Sequence, residues 1–304
     1  MELGQLRAIR ELGERGSIAA VAEAMHVTPS SISQQIAALQ RHSPVPLTQR
    51  DGRRTVLTEA GRTLAAAAVD VEVALQRARR TVASPDLDAG RPVSIAAFHS
   101  ASRALFVPLL LSTGAEDAPA VMLHDFDVAQ EDFPPLVAEH DLVIAHRLSG
   151  SPAWPSWVST RSLFLEPLDV AMRVGHPLAG DGPIQPADLA DASWVAVHEG
   201  FPLLQAVSVI ATLSGRSPRV AHRINDLSVA TGVVAATDAI ALMPRYTAAL
   251  EQHRDVVLRP LAVPGFGRHV DCLARPEQLE RPDVRATLDR ILAIAAALRA
   301  AGTA

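Results

Sequence analysis

The chain has 304 residues, 48% hydrophobic and 20% charged, which is ample material for about two packed domains and excludes a disordered chain. Its single cysteine, Cys272, excludes a disulfide framework or a cysteine-rich zinc module; all 28 basic residues are arginine, so there is no P-loop lysine and no Schiff-base lysine. No run of 18 apolar residues occurs and Met1-Glu2-Leu3 opens no basic-then-apolar leader, so the expectation is a chain neither membrane-spanning nor exported, held in a reducing cytoplasm.

The net charge of −5 hides an asymmetry. Residues 1–82 carry 11 arginines against 8 acidic residues, and residues 83–304 carry 17 against 25. A positive head on an acidic body points to an anionic partner for the head, such as nucleic acid.

Leu3, Leu6, Ile9 and Leu12 recur at helical spacing, and Gly13 and Gly16 mark the end of that first helix. Ser17 is a suitable N-cap for a second helix, Ile18 to Met25. After a short turn, Thr28 caps a third helix with Pro29 in its first position, where a missing N–H costs nothing. That helix runs to about Arg41 with Ile32, Ile36 and Leu39 on one face and Ser30, Ser31, Ser33, Gln34 and Gln35 on the other. Hydroxyls and amides can read base edges, and the acids that phosphates would repel are missing. Two short helices and a tight turn read as helix-turn-helix. The same pattern also describes a small helical bundle whose serines and glutamines are merely solvated. Pro44–Leu47 and Thr55–Leu57 are then expected as two strands around an Asp51-Gly52 turn, a wing presenting Arg50, Arg53 and Arg54 to phosphates or the minor groove.

These residues carry a resemblance. Ser17-Ile18-Ala19-Ala20-Val21-Ala22-Glu23, then Val27-Thr28-Pro29-Ser30-Ser31-Ile32-Ser33-Gln34-Gln35-Ile36-Ala37-Ala38-Leu39-Gln40, then Arg50 and Leu57-Thr58-Glu59-Ala60-Gly61-Arg62, resemble the N-terminal signature of the LysR-type transcriptional regulators, without a gap from residue 3 to residue 64. The resemblance implies a DNA-binding regulator and favours the winged helix-turn-helix over the bundle. Departures lie at the wing base, where Gln40 stands in place of Glu, Ser43-Pro44 in place of Leu-Gly, and Thr48 in place of Phe.

A long helix follows to about Val82. Leu64, Ala68, Val71, Leu75, Ala78 and Val82 step by 4, 3, 4, 3 and 4, a heptad seam that predicts pairing with a second copy. The resemblance agrees, since that family pairs subunits through a linker helix here, and two copies would read two half-sites of a near-palindrome. The chain is expected as a homodimer or homotetramer. The boundaries read as a winged helix-turn-helix at 1–58, a linker helix and hinge at 59–86, and a second domain at 87–304.

From Pro92 the pattern becomes alternating strands and helices, the grammar of mainly parallel α/β sheets. Strands are expected at 93–98, 121–123, 141–145, 163–173, 194–197, 219–224, 239–243, 256–261 and 268–274, and helices at 100–111, 203–213, 227–236 and 283–301. These segments resemble the effector-binding domain of the same family, which implies a two-lobed, periplasmic-binding-protein-like fold with lobe one at about 91–162 plus 270–304 and lobe two at about 163–269.

In such folds ligands sit beyond the carboxyl ends of strands, where helix N-termini favour anions. His99, Ser100, Ala101 and Ser102 follow the first strand; His198, Glu199 and Phe201 follow a strand of the second lobe, and Asn225, Asp226 and Ser228 open another helix. Together they would line an interlobe cleft for a small effector such as a carboxylate or an aromatic acid. As ordinary helix caps, Ser100, Ser102 and Asp226 would do nothing of the kind.

No cofactor is expected, and the eleven histidines lack metal-ligand spacing. Cys272, in an apolar strand, reads as buried rather than redox-active. An α/β enzyme is disfavoured because no GxGxxG follows a strand and no GxSxG elbow or P-loop occurs. A ligand-free architectural DNA-binding protein would not need more than 200 residues of acidic α/β domain.

Overall fold

The computed structural model describes residues 1–52, 54–82, 91–112, 118–248 and 254–302, with side chains omitted at 80–82. Arg53, the hinge before Arg91 and the side chain of Val82 therefore lie outside the described residues. The chain divides into two units: residues 1–90 with 275–281, and residues 91–274 with 282–304.

The first unit begins with helices α1 (Leu3–Arg15), α2 (Ile18–Ala24) and α3 (Pro29–Gln40). Local chemistry sets each boundary. Gly16, at φ 70°, ends α1 in the left-handed region. Ser17 caps α2 by accepting from the Ala20 amide at 3.2 Å, and Thr28 caps α3 by accepting from Ser31 at 3.2 Å. Leu6, Ile9 and Leu12 of α1, Val21 and Ala22 of α2, and Ile32, Ile36 and Leu39 of α3 share one core.

The wing is shifted from the expected place. Its strands are β1 (Thr48–Asp51) and β2 (Arg54–Leu57), an antiparallel pair turning at Gly52, φ 58°. Pro44–Leu47 is not a strand, because Pro44 and Pro46 have no N–H for a ladder. The Gln40 side chain serves that stretch instead, donating to Val45 O at 2.9 Å and accepting from Leu47 N at 2.8 Å. A carboxylate could only accept, so the amide at this departure from the family pattern does both jobs.

Helix α4 (Glu59–Val82) packs its first turns on the head. Leu64 and the fully buried Ala68 join the head's own core. Val71 is 43% exposed, Leu75 is half-buried and Ala78 is exposed. The heptad stripe thus serves the head first, and its solvent-facing part begins at Val71.

The second unit contains β3 (Val93–Phe98), α5 (His99–Ser112), β4 (Val121–Phe126), α6 (Phe133–Leu136), β5 (Leu142–Leu148), β6 (Ser159–Arg173), β7 (Ser193–Ala196), α7 (Pro202–Ser214), β8 (Arg219–Arg223), α8 (Leu227–Ala236), β9 (Ile240–Pro244), β10 (Val256–Pro260), β11 (Gly267–Ala274) and α9 (Pro282–Ala301). The strands run in the order β4-β3-β5-β11-β6-β9-β7-β8, with β10 also on β6. Pairs at the two ends are parallel, but β11 is antiparallel to both β5 and β6, and β6 to β9 and β10. The expectation of mainly parallel sheets is therefore corrected at the centre. The fifteen-residue β6 pairs with β11 along its first part and with β9 and β10 along its second, so one strand joins two lobes and β11 returns against it.

Gly61 sits where α4 passes the backbone of Leu47; a Cβ there would lie 2.0 Å from Leu47 O. Gly61→Ala is expected to lose about 1–3 kcal/mol to overpacking despite alanine's better helix propensity, measurable as a lowered urea midpoint.

Candidate functional site

The head presents the predicted polar face. Burial of Ile32, Ile36 and Leu39 leaves Thr28, Pro29, Ser30, Ser33 and Gln34 exposed and Ser31 half-buried. Ser33 Oγ donates to Pro29 O at 3.0 Å and Thr28 Oγ1 is used by the cap, so both hydroxyls are partly committed to the helix. Gln35 differs from its neighbour: it is half-buried, and its amide oxygen turns in beside Gly4 of α1 without a hydrogen-bond partner. Gln34, by contrast, is exposed. Arg50 on β1 and Arg54 on β2 are exposed on the wing, one register step apart.

In the second unit, a cavity of about 40 Å³ is lined from one lobe by Phe98, His99, Ser100, Asp127 and His146, and from the other by Val197, Phe201 to Leu203, Asn225 and Leu227, with Arg268 beneath. It has room for water-sized groups only. Asn225 Nδ2 donates to Asp127 Oδ2 at 3.0 Å across it. Outside the Phe201–Pro202 wall lies an open basin of about 450 Å³ bordered by Gln130, Glu131 and Glu199.

The floor is a buried ion pair. Arg268 on β11 and Glu166 on β6 are register partners, 2% and 0% exposed, with Nε donating to Oε2 at 2.9 Å. Arg268 Nη2 donates to Ser100 Oγ and to Thr247 Oγ1, each at 2.8 Å, while the amides of Tyr246 and Thr247 donate to Glu166 Oε1 at 2.8 and 2.7 Å. The guanidinium lies 4.8 Å from the centre of the Phe98 ring. Beside it, burial and then the charge of Arg268 hold the imidazole of His146 well below the usual histidine range, so it stands neutral.

The expected cleft residues separate into groups. His99, Ser100, Phe201 and Asn225 line the cavity, His99 also pairing with Asp125 at 3.0 Å. Ala101 is fully buried, and Ser102 Oγ is spent on the carbonyls of Ala97 and Phe98 and on Asp125. The backbone N–H of His198 donates to Asn225 Oδ1 at 2.9 Å; Glu199 belongs to the outer basin. Asp226 accepts from the amides of Ser228 and Val229 at 2.7 and 3.1 Å, and from Ser228 Oγ, so these two form the cap of α8. Sequence reading missed Arg268, Glu166, Thr247, His146 and Asp127. The available signal was a charge interrupting an apolar strand, at Arg268 in β11 and Glu166 in β6.

Cys272 is buried, and burial pushes its thiol up to about 12, so it holds no reactive thiolate at neutral pH. No group of three or more His, Cys, Asp or Glu side chains among the described residues is placed to hold a metal ion, and no helix among them is long and apolar enough to cross a membrane.

A winged helix-turn-helix head together with a two-lobed α/β domain enclosing a small cavity of mixed lining above a buried arginine is the architecture of a DNA-binding regulator with a small-molecule domain. Comparison with known proteins agrees: residues 3–62 match the bacterial regulatory helix-turn-helix proteins of the lysR family, and residues 87–296 match the LysR substrate binding domain. The chain belongs to the LysR family of transcriptional regulators, a family of regulators and not of enzymes. It is 29% identical over 283 residues, 92% of each chain, to the transcriptional dual regulator GltC of Bacillus subtilis (strain 168), and 26% identical over 245 residues, 79% of this chain and 80% of the relative, to the HTH-type transcriptional regulator GbpR of Rhizobium radiobacter. Among solved structures its fold resembles a full-length OxyR variant from Pseudomonas aeruginosa (TM-score 0.61, 21% identity, 97% of each chain) and full-length CbnR complexed with its target DNA (TM-score 0.52, 20% identity, 97% of this chain and 100% of that one).

Removing one member of the buried pair leaves the other charge stranded. Arg268→Met is expected to cost about 3–5 kcal/mol in a urea titration, and adding Glu166→Gln is expected to recover part of that loss.

Proposed function

We propose that this regulator, as a cytoplasmic homodimer or homotetramer, reads a near-palindromic site in promoter DNA through Ser30, Ser31, Ser33 and Gln34, with Thr28 and Pro29 at the helix entry and Gln35 in a supporting place. Arg50, Arg53 and Arg54 hold the flanking phosphates. The observation that carries this is the division of α3 into a buried apolar face and an acid-free face of exposed hydroxyls and an amide. Pairing would use the solvent-facing part of the heptad stripe, Val71, Leu75 and Ala78, continued by Val82. The functional division runs 1–58 for the head, 59–86 for the linker and 87–304 for the effector domain, with lobe one at about 91–162 plus 270–304 and lobe two at about 163–269. One cysteine and the absence of a long apolar helix among the described residues support the cytoplasmic placement.

The effector is a small anion, a carboxylate or an aromatic acid, entering between His99, Ser100, Phe201 and Asn225 above Arg268. The N-terminus of the fourteen-residue α5, two donor side chains and the guanidinium favour negative charge there, and Phe201 supplies an apolar wall. An effector larger than a few atoms must part Asn225 from Asp127, so binding selects a more open arrangement of the lobes.

For the head, the full-length protein is titrated with duplexes from its own upstream region at several salt concentrations. Gln34→Ala is expected to alter sequence preference. Arg50→Ala is expected to weaken binding on all sequences alike and lower the salt slope by about 1. Unchanged binding in both variants would refute the interface. For the cleft, a thermal-shift screen of small carboxylates and aromatic acids is expected to find a ligand giving about 2.7 kcal/mol at a hundredfold excess over Kd, with Ser100→Ala abolishing the shift. Silence across the screen would favour a regulator without an effector.

A further inference from the structure

Helix α1 turns its apolar residues into the head's core and a run of charges the other way. Arg10 is only 2% exposed: Nε donates to Glu14 Oε1 at 2.6 Å, and Nη1 donates to Glu277 Oε1 at 2.7 Å and to Glu72 of α4. Arg7 donates to the other oxygen of Glu72 at 2.7 Å. Arg275 reaches Glu11 Oε1 at 2.6 Å and also Glu14, and Arg15 donates to Glu11 Oε2 at 2.7 Å. Four arginines and four glutamates thus join α1, α4 and the segment 275–281, all within the first unit. Arg77 of α4 adds a more exposed contact to Glu280, at 3.0 Å.

The head does not need this cluster to close its core, which is apolar and complete in α1–α4 and the wing. Nor is the cluster a good source of stability, because every buried ion gives up its hydration and the pairing only repays that loss. Arg10 Nη2, Arg275 Nε and Glu277 Oε2 are buried with no hydrogen-bond partner, and burial pushes the Glu14 carboxyl above the usual range. A buried ion cluster that adds little stability can still specify one arrangement of the elements it joins. Its third member is also special in sequence. Arg275 follows β11 directly, the strand that carries Arg268 of the cavity floor, and the segment ends where α9 begins. On the other side, Ile9 and Leu12 of α1 pack in one core with Ile32 and Leu39 of α3.

We propose that Arg275 and Glu277 are positioning residues for DNA binding: an ion-paired latch through which the second unit, by covalent continuity with β11 and α9, sets α1 and hence the recognition helix α3. This rests on the head reading DNA, as proposed above, but not on the identity of any effector.

The test uses full-length Arg275→Gln/Glu277→Gln. Removing both leaves Arg7, Arg10 and Arg15 against Glu11, Glu14 and Glu72, a balanced set, so the head is expected to remain folded by circular dichroism. Its affinity for duplex DNA from its own upstream region is expected to change at least threefold, with faster hydrogen exchange of the α1 amides than in the parent. A change below threefold, or unaltered α1 exchange, overturns the latch. Should the double variant fail to fold, Arg77→Glu opposes Glu280 from the exposed side, and Arg77→Glu/Glu280→Arg restores the opposite signs. A threefold change that the swap reverses supports the latch; no change, or no reversal, overturns it. A parent protein that itself ignores DNA refutes the reading of the head instead.

Discussion

Burial of Ile32, Ile36 and Leu39 in one core with α1 is the constraint on which the polar face of α3 depends. Each of these side chains is worth about 1.5–3 kcal/mol when removed from water, far more than any single contact its polar neighbours make. Because a helix has only one rotation that buries all three, Ser30, Ser33 and Gln34 have no choice of direction. The caps at Ser17 and Thr28 and the left-handed residue His26, at φ 54°, fix the turn between α2 and α3. The wing is then located by Gln40, whose amide bonds both Val45 and Leu47 and replaces ladder bonds that two prolines cannot make.

The second unit solves a different problem, keeping a charge pair in a dry place. Arg268 and Glu166 belong to strands that are register neighbours at the centre of the sheet, and Ser100, Thr247 and two backbone amides satisfy most of their hydrogen-bonding capacity. Such a pair adds little stability beyond an apolar substitute. What it supplies is an oriented guanidinium under the cavity, backed by the Phe98 ring and next to an imidazole forced to stay neutral. The hydrogen bond above it, from the half-buried Asn225 to the exposed Asp127, is by contrast one that water can replace at small cost. A rigid floor and a weak clasp suit a protein whose ligand shifts a balance between arrangements rather than building a new one.

Local signals in the sequence were enough for nearly every element of the second unit, and β3, α7, α8, β9 and α9 begin within a residue of where periodicity and capping put them. The strand expected at Pro44–Leu47 failed for a local reason too, since Pro44 and Pro46 lack the N–H donors a ladder requires. Other outcomes were not local at all. The stripe from Leu64 to Ala78 has one period, yet Ala68 is buried in its own head and Val71 is 43% exposed; period alone does not say which surface a residue meets. Gln34 and Gln35 are chemically identical neighbours, and their places around the packed helix distinguish them, Gln34 in solvent and Gln35 half-buried beside Gly4 of α1.

The sequence by itself determined the order of helices and strands, the caps that bound them and the acid-free face of α3, because these follow from residues a few positions apart. Tertiary structure alone decided that Arg268 meets Glu166 over a separation of 102 residues, and that Glu277 reaches Arg10 over 267. Side-chain period has no memory at such distances. A buried charge finds its partner only where the packed chain brings one, and here that packing made both the cavity floor and the cluster beneath α1.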